Sequence, residues 1–138
     1  MLFESLTVLG NLESLDAIAS FTIKAAELAD LDRKSTYGLR LAVDEIATNI
    51  IQHGYREAEP TGKITCSAEL NEDYLTITLD DWGLSYNYRE YARPDSLQQP
   101  LVSRPIGGLG IYLAIQSVDE FQYQKLSDRN RHILSVKR

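Results

Sequence analysis

Between residues 63 and 80 the chain alternates apolar and polar side chains twice over, and this constrains the fold more than any other feature. Ile64, Cys66, Ala68 and Leu70 alternate with Lys63, Thr65, Ser67 and Glu69. After the turn cluster Asn71-Glu72-Asp73, Leu75, Ile77 and Leu79 alternate with Thr76, Thr78 and Asp80. A period of two sends successive side chains to opposite faces of a strand. The two runs therefore read as an antiparallel hairpin with one dry and one wet face, and only the dry face needs a cover.

The flanking segments supply that cover. Over residues 15–31, Leu15, Ile18, Ala19, Ala25, Leu28 and Ala29 recur at helical spacing up to Asp30-Leu31-Asp32, and a second helix is expected from about residue 34 to 53. Residues 2–9 predict a strand closed by Gly10-Asn11. Residues 121–126 and 132–136 predict a last hairpin turned at Ser127-Asp128-Arg129-Asn130. Gly107 to Gly110 opens a helix with an apolar stripe of Ile111, Ala114, Ile115 and Val118. Residues 82–106 break every period and carry Pro94, Pro100 and Pro105, which marks them as a functional lid. This order predicts an α+β two-layer sandwich, a mixed or antiparallel sheet with helices on one face, as a single domain over 1–138.

Composition narrows the function. The chain has 14 Lys+Arg against 20 Asp+Glu, a net charge of −6, and no basic cluster, which argues against nucleic acid or an anionic membrane as partner. One cysteine permits no internal disulfide; with only His53 and His132 beside it, no four-cysteine or two-cysteine, two-histidine zinc site can form. Both histidines read as ordinary helix-end and strand residues, and Cys66 as a small buried thiol. The longest uncharged stretch, 105–118, is shorter than the ~20 apolar residues of a membrane span. Met1-Leu2-Phe3-Glu4-Ser5 lacks the basic start of a signal peptide, so a cytoplasmic location is expected.

Three constellations carry chemistry. Glu45 and Asn49 stand one helical turn apart and, with Gln52, outside the core stripe of Leu39, Val43, Ile46 and Ile50. An amide oxygen can hold a hard cation while a carboxylate accepts a proton from a hydroxyl or water; the same spacing also suits a plain polar pair on a solvated face. Asp80-Asp81-Trp82-Gly83 ends a strand, where an ionised Asp can accept from an exocyclic amine or simply shape a turn. Gly107-Gly108-Leu109-Gly110 opens a helix, where backbone N–H groups and the helix dipole favour an anion, or where glycines merely allow a tight turn. No Lys-Ser or Lys-Thr follows, which excludes a P-loop, and the spacing fails the dinucleotide fingerprint.

In this order, the segments 41–55, 81–83 and 107–113 resemble the N, G1 and G2 boxes of the GHKL ATPase superfamily, most closely the bacterial anti-sigma factor serine kinases of partner-switching systems. The resemblance implies a Bergerat-type ATP site. In it Asn49 would coordinate Mg²⁺, Glu45 would act as base or orienter for the attacking hydroxyl, and Asp81 would accept from the adenine amino group. Gly83 would make room beside the base, while Gly107, Gly108 and Gly110 would hold phosphate oxygens beneath the lid. It also implies transfer of the γ-phosphoryl of ATP to Ser or Thr of a STAS-domain anti-anti-sigma protein, binding of a sigma factor, and the option of a homodimer. The acceptor is then expected on another protein. Two departures stand out: Leu84-Ser85-Tyr86-Asn87 replaces the usual run with Pro-Phe-Asp, and the frequent Thr near the adenine on the last strands has no evident counterpart. Arg89, Arg93 and Arg104 make the lid the one long segment that runs against the overall acidity, so further phosphate contacts are expected there. The rival reading is a non-catalytic nucleotide-binding module that sequesters a sigma factor or other regulator. A histidine kinase would need a dimerising hairpin with a phosphoacceptor His, which this sequence does not show.

Overall fold

The computed structural model describes residues 2–55, 62–85 and 108–138. Strand β1 (Leu2–Leu9) leads through a short 3₁₀ turn, Leu12–Ser14, into helices α1 (Leu15–Leu28) and α2 (Arg33–Asn49). Then come β2 (Lys63–Leu70), β3 (Tyr74–Asp81), α3 (Gly108–Gln116), β4 (Glu120–Lys125) and β5 (Asn130–Lys137). The strands form one sheet in the order β1-β2-β3-β5-β4, every neighbouring pair antiparallel. This settles the expected "mixed or antiparallel" sheet as antiparallel, and the α+β expectation holds.

The alternation in β2 and β3 does what its period requires. Ile64, Cys66, Ala68, Leu75, Ile77 and Leu79 are fully buried beneath the helices, and Leu134 of β5 continues that layer. Burying each larger aliphatic side chain is worth about 1.5–3 kcal/mol. Cys66 lies opposite Leu79, and burial pushes its thiol up to about 12. The other face carries hydroxyls: Thr7 pairs with Thr65 at 3.1 Å and Thr76 with Ser135 at 2.8 Å. The hairpin turn is held by Asn71, whose Oδ1 accepts the backbone N–H groups of Asp73 and Tyr74, both at 2.8 Å.

The end of α1 falls near the sequence expectation and that of α2 departs from it. Helix α1 stops at Leu28, just before the expected interruption at Asp30-Leu31-Asp32, because Asp30 adopts a left-handed backbone with φ of 57° and Leu31 N–H returns to the Ala26 carbonyl at 3.1 Å. Asp32 then caps α2 by accepting from Ser35 N–H at 2.7 Å, and that bond holds its carboxyl below the usual range. Helix α2 ends at Asn49, four residues before the expected limit; Ile50–Tyr55 widen into a π turn. Gly38 lets α2 approach the end of α3: a Cβ there would sit 2.7 Å from the Ser117 carbonyl.

Candidate nucleotide site

The core stripe of α2 places the polar residues. Leu39, Val43, Ile46 and Ile50 are buried, as the helical wheel requires, which turns Glu45 toward the start of α3. A Cβ on Gly110 would lie 2.5 Å from Glu45 Oε2, so the absence of a side chain at 110 gives the carboxylate its place. The first and third constellations thus meet. Partial burial, followed by the neighbouring Asp44 charge, raises the Glu45 pKa and makes it a better proton acceptor.

Asn49 differs from the expectation of a residue outside the core, being buried at 7% exposure. Among the described residues no side-chain hydrogen bond occupies its carboxamide. A buried, uncommitted amide suits a cation ligand, since its oxygen is a hard donor. Gly108 and Gly110 lie in the first turn of α3; Gly107 and residues 86–106 of the lid, including Arg89, Arg93 and Arg104, fall outside the described residues.

The second constellation divides its two carboxylates between the faces of the sheet. Asp80 forms a bidentate pair with Arg131, Nε to Oδ1 and Nη2 to Oδ2, both 2.9 Å, and Arg129 adds a contact at 3.4 Å. Asp81 points the other way, is 2% exposed, and has its own partners. Its Oδ1 accepts from Gly83 N–H at 2.9 Å and from Asn130 Nδ2 at 3.0 Å; its Oδ2 lies 2.7 Å from His132 Nε2. Asn130 Nδ2 also reaches the Gly83 carbonyl at 3.0 Å, and the Tyr123 hydroxyl donates to Asn130 Oδ1 at 2.8 Å.

His132 is a strand residue, as expected, but it does not stand alone. The missed partners Asn130, His132 and Tyr123 had one sequence signal: His132 shares its parity with Leu134 and Val136, and so had to face inward. The register pairs Asp81 with Asn130, Leu79 with His132, and Tyr123 with His132.

Backbone contacts tie Asp81 to the end of α2. Leu84 N–H donates to the Gly54 carbonyl at 3.1 Å, and a Cβ on Gly83 would meet that oxygen at 2.6 Å. The Tyr55 ring packs against Gly10 and Gly62, where Cβ atoms would fall 2.3 Å and 2.1 Å from it. Its hydroxyl donates to the Lys63 carbonyl and accepts from Trp82 N–H at 2.6 Å. One continuous run of protein therefore joins Glu45, Asn49 and the glycine-opened helix to the buried carboxylate at the end of β3.

Comparison with known proteins gives the family. Residues 9–137 match the family described as histidine kinase-like ATPase domain. The chain is 33% identical over 102 residues to the serine-protein kinase RsbW of Bacillus mycoides, and 32% identical over 102 residues to that of Bacillus thuringiensis subsp. konkukian. Each match covers 72% of this chain and 61% of the relative, so the chain spans about three fifths of the length of the curated relatives it matches. With 129 of its residues inside that family's pattern and the N, G1 and G2 boxes in order, the chain belongs to the histidine kinase-like ATPase domain family of the GHKL superfamily.

Proposed function

We propose that this domain is an ATP- and Mg²⁺-dependent serine/threonine-protein kinase that acts in the cytoplasm as an anti-sigma regulator, phosphorylating a STAS-domain anti-anti-sigma protein. The observation that carries it is the contact of Glu45 with Gly110, which sets a proton acceptor at the helix start where phosphate oxygens would lie. Asn49 would hold Mg²⁺, which when bound neutralises phosphate charge. Asp81 and Gly83 would receive the adenine, and Gly107, Gly108 and Gly110 would donate N–H groups to phosphate oxygens. Glu45 would take the proton from the acceptor hydroxyl as its oxygen bonds to the γ-phosphorus and the bond to the β-phosphate oxygen breaks, releasing ADP. The relatives' names support this reading, because they are serine-protein kinases.

The test is transfer from γ-labelled ATP to a STAS protein encoded beside this gene. Wild type is expected to transfer label, and Glu45→Ala to be slower by about 10²–10⁴-fold, the usual worth of general base catalysis. Asn49→Ala should lose transfer and Mg²⁺-dependent nucleotide binding together. Equal silence of wild type and both variants with several STAS candidates overturns the kinase reading. Nucleotide-dependent thermal stabilisation, with partner binding intact in Glu45→Ala, would then favour the non-catalytic module.

A further inference from the structure

We infer that Asn130 and His132, steered by Tyr123, are positioning residues that aim the Asp81 carboxylate and so make the pocket select a purine bearing a 6-amino group over one bearing a 6-oxo group. This rests on the reading that the site takes a purine nucleotide. A carboxylate offers about four in-plane acceptor positions. On Oδ1 both are used, by Gly83 N–H at 2.9 Å and Asn130 Nδ2 at 3.0 Å. On Oδ2 one is used, by His132 Nε2 at 2.7 Å. A carboxylate only accepts, so Nε2 carries the proton in this contact. Among the described residues, one acceptor position is left, on Oδ2.

The anchors at Oδ1 hold one oxygen and the His132 contact holds the other, so turning the carboxylate about its Cβ–Cγ bond breaks hydrogen bonds on both sides. Asn130 is itself oriented, because the Tyr123 hydroxyl donates to its Oδ1 and thereby turns the amide nitrogen toward Asp81 and the Gly83 carbonyl. Four buried or half-buried side chains on three strands thus hold a single acceptor in one direction. An amine finds a partner there, whereas a carbonyl would set its oxygen against the carboxylate and leave both without a donor.

Binding of ATP and of ITP to the full chain, each with Mg²⁺, tests this by calorimetry. The two ligands differ at the purine 6-position, amine against carbonyl. Wild type is expected to prefer ATP by roughly tenfold or more, the worth of one hydrogen bond to a charged group. His132→Phe keeps the ring that packs beside Tyr123, at 5.2 Å between centroids, and removes the donor. It should weaken ATP while leaving ITP unchanged, so that the preference collapses. His132→Gln, which restores an N–H near Nε2, should recover it. An ATP:ITP ratio that stays at the wild-type value in His132→Phe overturns the inference, whether both affinities fall equally or neither moves. Should His132→Phe fail to fold by circular dichroism, Tyr123→Phe decides: a lowered ratio supports the network and an unchanged one overturns it. Wild type that binds neither nucleotide overturns the nucleotide-site reading along with the inference. Wild type with a clear preference that the variants retain overturns the inference alone.

Discussion

The middle and one end of the covered sheet face are built on opposite principles. Beneath the middle of β2, β3 and β5, the buried layer of Cys66, Ala68, Ile77, Leu79 and Leu134 offers no strong hydrogen-bonding group, and each of these residues is fully buried. Further along β3 and β5 the same face offers Asp81, Asn130 and His132, each 2% exposed or less. Equal burial therefore hides unequal tolerance. Apolar contact has no direction, so the middle accepts exchanges that conserve volume. The polar atoms at the end depend on particular partners in fixed directions, and removing one leaves its neighbours short of a hydrogen bond.

The largest expected effect tests that contrast directly. Asp81→Leu keeps the branched shape of the side chain but takes from His132 Nε2, Asn130 Nδ2 and Gly83 N–H the carboxylate they share, and should cost about 3–5 kcal/mol in urea unfolding. Ile77→Val, in the apolar middle, should cost only about 0.5–1.5 kcal/mol. Equal costs would break the comparison. Next comes Gly83→Ala, whose new carbon meets the Gly54 carbonyl, a backbone atom with nowhere to go; it should cost about 1–3 kcal/mol by the same measurement.

A smaller effect comes from Glu45, and its sign depends on pH. Its folded pKa is raised, so the folded state binds the proton more tightly than the unfolded chain does. The stability this contributes is fully present below the unfolded value of about 4.3 and is lost as pH rises through the raised folded value. At neutral pH the ionised Glu45 is a net cost. Glu45→Gln should therefore raise Tm near pH 7.5 by at most about 2 °C, with the difference vanishing or reversing below about pH 4. Scanning calorimetry across that range checks both statements. The smallest expected effect lies far from either region: Asp30→Gly relieves the left-handed backbone and should gain about 0.5 kcal/mol, less than the strain itself because glycine also loosens the unfolded chain.

The same contrast explains what could be read from the sequence. Strands β2 and β3 were legible almost to the residue because a period of two is a local signal. Glu45 and Asn49 were legible as a pair because one helical turn separates them. The break after α1 was legible at Asp30-Leu31-Asp32, but the left-handed backbone of Asp30 that makes it was not. Nor was the end of α2, where Gly54 meets Gly83 across the fold. His132 and Asn130 were missed for the same reason: they join Asp81 through strand register across 51 and 49 residues of chain. Composition and period carry no record of such separations. The inward parity of His132 was the one trace of its role.

Cys66, the sole cysteine, stands fully buried midway along β2 with its thiol pushed up to about 12. At neutral pH it is almost wholly a thiol, and no reagent reaches it while β2 keeps its neighbours. The protein thus carries its own clock: the rate of thiol labelling under native conditions counts each parting of the sheet's middle. Run with and without nucleotide, that clock reports whether a ligand at the polar end also slows opening of the apolar middle, or whether the two parts of a single sheet keep separate time.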